Sequence, residues 1–70
     1  MEVDKEFVMH KLLEEAYFLE KKVIDLSTFK RGKGFKELEE EQQSLLLDQW
    51  LHMTEYLNIL RQRIALLCEK

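Results

Sequence analysis

The chain has 70 residues and a formal charge of −3, with 46% hydrophobic and 36% charged residues. That size holds one small domain, and the balance is that of a folded, soluble chain rather than a disordered one. Proline is absent and only two glycines occur, Gly32 and Gly34. The many turns of a sheet protein are therefore excluded, and an all-α fold is expected.

The first helix is expected over about 4–28. Asp4 can cap it, with Glu2 and Glu6 placing negative charge near its positive end. An apolar stripe then runs Met9, Leu12, Ala16, Leu19, Val23, Leu26, in alternating steps of three and four. A second stripe lies beside it: Val8, Leu13, Tyr17, Ile24. The helix should stop near Thr28, where Lys30-Arg31-Gly32-Lys33-Gly34 combines helix-stop glycines with cations suited to a carbonyl end.

A turn follows over about 29–35, and a second helix over about 36–68. Glu37, Glu39, Glu40 and Glu41 fill its first turns, as the helix dipole favours. Its stripe reads Leu38, Leu45, Leu46, Gln49, Met53, Tyr56, Leu57, Leu60, Ile64, Leu67. Two long helices joined by a short turn make an antiparallel hairpin, one domain over residues 1–70. Further apolar residues lie off both stripes: Phe18 on the first helix, and Leu47, Trp50, Leu51, Ile59 and Leu66 on the second. A domain below roughly 70–80 residues seldom stabilises itself with one core. A single cysteine, Cys68, excludes an internal disulfide and suits a reducing compartment. Assembly of several hairpins into a homo-oligomer is the route left.

Several function classes fall away on chemistry. No stretch approaches the ~18 apolar residues of a membrane span, and no charged-then-apolar leader opens the sequence, so neither membrane nor secretory targeting is expected. An isoelectric point near 5.3 leaves no extended basic face for duplex nucleic acid. His10, His52 and Cys68 share no metal-ligand spacing, so no metal is expected, and no cofactor motif is present. The two histidines fall at similar heights in a hairpin but lack a third catalytic partner. No enzyme is expected. The cations of residues 21–36 read as a solvated turn matched to helix ends. A smaller group, Lys11 with Arg61 and Arg63, falls towards the opposite end. Arg63 and Lys11, with Arg61 as auxiliary, are candidate phosphate ligands, and Phe7 and Tyr56 are candidates to pack on a base or ribose. The pattern alone favours the other reading, with Arg63 an ordinary interface residue and the aromatics core.

The ordered set Leu19-x-x-Lys22-x-x-x-Leu26-x-x-Phe29, Phe35-x-x-Leu38, then Leu45-Leu46-x-x-Gln49-x-x-x-Met53-x-x-Tyr56-x-x-Ile59-Leu60-x-x-Arg63-Ile64 resembles the small phage anti-CBASS proteins that act as cyclic-oligonucleotide sponges. The resemblance covers about residues 8–67, and Lys11 and Arg63 fall on its motif positions. It implies helical protomers interlocked into a compact hexamer. It also implies capture of cyclic dinucleotides and cyclic trinucleotides between chains, without cleavage, in the cytoplasm of the host bacterium. A related sponge family holds cyclic ADP-ribose-type signals of Thoeris defence, and that ligand is an alternative. A second alternative is a helical structural or adaptor protein whose stripes serve only protein–protein contacts.

Overall fold

The structure is a computed structural model that describes residues 4–69; Glu2, invoked above beside the first helix, lies outside them. Three helices follow in order, with no strand among the described residues: α1 (Lys5–Phe29), α2 (Lys33–Lys36) and α3 (Glu40–Cys68). α1 and α3 pack side by side as an antiparallel pair, and α2 forms one helical turn in the connection.

α1 starts as its sequence implies. The Asp4 carboxylate accepts the Glu6 backbone N–H at 3.0 Å, which satisfies one of the donors left open by a helix start. Its stop differs from the expectation. Neither glycine takes a positive φ, and Gly32 is extended at the start of α2. α1 closes through tightened turns: Arg31 N–H donates to the Thr28 carbonyl at 3.2 Å and Gly32 N–H to the Phe29 carbonyl at 3.0 Å. Gly34 matters for space. A Cβ there would sit 2.9 Å from the Phe29 ring, so that ring would have to move.

The second long helix begins at Glu40, later than the sequence pattern implied, and Leu38 falls in the break before it. The cause is Gln43. Its side-chain amide donates to the Phe35 carbonyl at 2.9 Å and the Leu38 carbonyl at 3.1 Å, with the Lys36 carbonyl at 3.4 Å. The Phe35 carbonyl also accepts the Leu38 N–H at 3.1 Å in a tight turn, and at Leu38 the side-chain amide stands where a continuing helix would have donated. Glu39 caps α3 by position alone and makes no side-chain bond to it.

The contact seam has a strict seven-residue period. On α1, Met9, Leu12, Ala16, Leu19, Val23 and Leu26 are all buried or half-buried. On α3 the seam positions Leu46, Trp50, Met53, Leu57, Leu60, Ile64 and Leu67 are likewise covered, with Gln43 and Thr54 half-buried beside them. Steps of three and four alternate without exception, the pattern of a coiled coil. Two corrections follow for α3. Leu45, Gln49 and Tyr56 are exposed, and Trp50 takes the seam position assigned above to Gln49. Residues flanking the seam pair across it as an antiparallel coiled coil requires. Tyr56 hydrogen-bonds to Glu15 on one flank, and Arg61 to Glu20 at 3.1 Å on the other. The Trp50 indole N–H donates to Ser27 Oγ at 2.7 Å. This register puts His52 near the middle of the rod and His10 near its open end, roughly 20 Å apart along the axis. The similar heights expected of them are not found.

The resulting rod measures 51 × 18 × 16 Å. Its radius of gyration is 15.9 Å, against about 11 Å for a compact chain of this length. Among the described residues only Leu12, Leu57 and Leu60 are buried. The accessible surface is 5928 Å², whereas a compact monomer of this mass exposes about 4,700 Å².

Candidate functional site

The open half of the hairpin carries a groove of about 460 Å³. It follows one flank of the seam and is lined by Lys11, Glu14, Glu15, Phe18, Leu19, Lys22 and Tyr56. Helix periodicity explains the set. Glu15, Lys22 and Tyr56 occupy equivalent flank positions beside the seam, and Lys11 and Phe18 lie one strip further out on α1. Two ammonium groups, two carboxylates, two aromatic planes and one aliphatic side chain therefore share one concavity.

Contacts order the groove. The Lys11 ammonium sits 4.0 Å from Glu14 and 5.6 Å from the centre of the Phe7 ring. The Tyr56 hydroxyl donates to Glu15 across the seam. That bond raises the Tyr56 pKa above its ordinary value, because an ionised phenol could no longer donate. Desolvation and the Glu15 charge push the same way, and the positive charge of Arg63 pulls it down.

The five side chains singled out in the sequence divide three ways. Lys11 and Tyr56 line the groove, and Phe7 lies beneath the Lys11 ammonium at its edge. Arg63 is on the Tyr56 flank, one heptad towards the C-terminus, about 10 Å along the axis. It is exposed and outside the groove, though near enough to act on the phenol. Arg61 is on the opposite flank, bound to Glu20, so one protomer does not bring it to the other four. Glu14, Glu15, Phe18 and Lys22 are groove residues that the sequence reading left out of the site. Phe18 and Glu14 were legible in principle, lying seven residues beyond Lys11 and Phe7, and Glu15 is register-matched to Tyr56.

Apolar residues off the seam fall on both flanks. Phe18, Leu45, Tyr56, Ile59 and Leu66 are exposed on the groove side; Leu13, Tyr17, Ile24, Leu47 and Leu51 are exposed on the other. The turn end is different. There the Lys30 ammonium covers the Trp50 ring at 3.5 Å, so a cation expected at a helix end is spent on an aromatic face. Among the described residues, no helix is long and apolar enough to cross a membrane, and no three metal-ligating side chains converge.

Fold and site together define a small antiparallel coiled-coil hairpin with an amphipathic groove on one flank. The chain belongs to the Sequestin family, whose model matches residues 6–66. Neither a curated protein nor a solved structure matches it.

Proposed function

We propose that this protein is a sponge: a homo-oligomer, a hexamer in the sequence-based expectation, that binds cyclic di- and trinucleotides and withholds them without cleaving them. The proposed setting is the cytoplasm of a phage-infected bacterium, where removing the signal disarms CBASS immunity. The family match over residues 6–66 carries the reading, since the family name speaks of sequestering. The geometry supports it. Lys11 and Lys22 supply positive charge for phosphates, and Phe18 and Tyr56 supply planes for bases. An exposed surface roughly 1,200 Å² larger than that of a compact monomer, apolar on two flanks, suits burial against further copies. Copies packed on the groove flank would close the groove and bring further cations, Arg63 first, to its rim. Symmetric assembly also suits a symmetric ligand.

Native mass spectrometry with 3′,3′-cyclic GMP-AMP, cyclic tri-AMP and a cyclic ADP-ribose isomer tests this directly. The expected result is an oligomer that gains ligand mass and releases the ligand intact on denaturation. Retention of the cyclic ADP-ribose isomer alone would move the protein to the Thoeris ligand class, and retention of none would end the sponge reading. Arg63→Ala should weaken binding about tenfold or more with the oligomer unchanged, the loss of one charged hydrogen bond. Unaltered affinity would remove Arg63 from the site. One observation favours a second reading, a helical adaptor acting through protein contacts: Arg61 is already paired within its own chain. A stable oligomer indifferent to every cyclic nucleotide would favour that reading.

A further inference from the structure

The two flanks of the rod differ in charge. On the groove flank Lys11, Glu15, Lys22 and Arg63 stand among the apolar residues. On the opposite flank, between Leu13 and Ser27 on α1 and between Leu47 and Arg61 on α3, the positions beside the seam and one strip out hold two charged residues, Glu20 and Arg61. These neutralise each other at 3.1 Å. Around the pair lie Leu13, Tyr17, Ile24 and Leu47, between 43% and 58% exposed. Charge returns at the margin, where the Lys21 ammonium sits 5.7 Å from the centre of the Tyr17 ring. An apolar strip with its ion pair closed and a free charge at its rim has the make-up of a protein interface, not of an anion site.

The strip also matches itself. Glu20 lies about 22 Å from the start of α1, near mid-length of a rod 51 Å long. From Glu20, Leu13 and Tyr17 lie about 10 and 5 Å towards the open end, and Ile24 about 6 Å towards the turn. Trp50 is bonded to Ser27, and Leu47 follows one turn beyond it, about 14 Å from Glu20 on the turn side. Leu13, Glu20 and Leu47 stand beside the seam, on the midline of the strip, whereas Tyr17 and Ile24 stand one strip out on α1. A two-fold axis crossing the strip within about 2 Å of the level of Glu20 therefore carries Leu13 onto Leu47 and Tyr17 onto Ile24. We propose that two copies of this chain meet here, antiparallel about that axis, with Leu13 of one on Leu47 of the other and Tyr17 on Ile24. A second copy repeats these spacings by construction; a partner of another sequence does not. The axis also gathers both Glu20–Arg61 pairs at the centre, where each guanidinium gains a second carboxylate and the cost of covering the pair falls. One long face of the rod is on the order of 800 Å², what each partner gives to a stable interface. Both grooves stay on the outside of the pair. The proposal rests on the oligomer of the reading above and on none of its ligands.

Cross-linking of the full chain tests it, in a Cys68→Ser background because Cys68 is an exposed thiol. The double variant Leu13→Cys, Leu47→Cys treated with a short bis-maleimide should run as a covalent dimer on a denaturing gel, and Leu13→Cys alone should run as a monomer. Within one chain the two sites are about 24 Å apart, and in the antiparallel pair position 13 is about 20 Å from its own copy. Leu13→Glu should weaken the pair tenfold or more, because it covers a charge, and should lower the mass found by sedimentation. Helicity should not change, since Leu13 is half exposed within the single chain. A linked dimer from Leu13→Cys alone, no link from the double variant, or full wild-type mass in Leu13→Glu would overturn the pairing and leave the sponge reading standing. A wild-type chain that sediments as a monomer would overturn both and leave the strip to a different protein.

Discussion

The two halves of the hairpin are held by different forces. At the turn end no side chain is fully buried, and directional bonds do the holding: Gln43 on the turn carbonyls, Trp50 on Ser27, Lys30 over the indole. At the open end the three buried leucines lie together at one level of the seam, and the polar contacts there, Tyr56 to Glu15 and Arg61 to Glu20, are exposed. Polar bonds are complete within one chain and fix geometry. Apolar burial is incomplete along the whole rod: Ile24, Leu45, Leu47 and Leu51 are exposed towards the turn, and Leu13, Phe18, Ile59 and Leu66 towards the open end, and these flanks invite completion by other chains. The groove lies in the half that holds the buried leucines.

The contrast can be broken at three points of decreasing effect. Leu60 is 1% exposed, and Leu60→Ala should cost about 2–5 kcal/mol in chemical denaturation at fixed protein concentration. A cost below 1 kcal/mol would mean that the open half does not depend on its seam. Gln43→Ala removes the shared donor of the turn carbonyls and should cost about 1–2 kcal/mol. If it cost more than Leu60→Ala, the turn would be the dominant element and the comparison would invert. The smallest effect is the titration of Tyr56, read by phenolate absorbance in a Tyr17→Phe background. Its pKa should exceed the ordinary tyrosine value near 10. A raised folded-state pKa means that the hydroxyl's contribution to stability is full below that ordinary value and is lost as pH rises through the higher one. Glu15→Gln should bring the titration down, and a midpoint that stays put would show that Glu15 does not hold the phenol.

The helical class, the hairpin and the whole α1 stripe were legible in the sequence, because Met9 to Leu26 repeat with one period and have no rivals at that spacing. On α3, leucine at both 45 and 46 and Tyr56 beside Leu57 gave two apolar tracks one residue apart. Both tracks alternate steps of three and four, so period could not choose between them. The track through Leu45 and Tyr56 takes in Gln49, His52 and Arg63, whereas the one through Trp50 is apolar throughout, and it is the covered one. The break before Glu40 escaped because it depends on the reach of Gln43 to carbonyls five and eight residues earlier, which no local propensity encodes. For the site, Lys11 and Tyr56 share a groove for a reason visible in residue type and height, whereas Arg61 lies on the opposite flank, which height alone does not give. Height follows from distance to the turn; flank follows from the exact heptad position, and a one-residue change of track reverses it.

The stacking of Lys30 on Trp50 gives the molecule an optical signature of its own. The sequence holds one tryptophan, and a cation 3.5 Å above its ring together with a hydroxyl on its N–H ties its emission to closure of the turn. Light from that indole therefore follows the joining of the two long helices, while in a Tyr17→Phe background the phenol six residues along α3 follows the groove, so folding and occupancy are readable separately in one cuvette without a label.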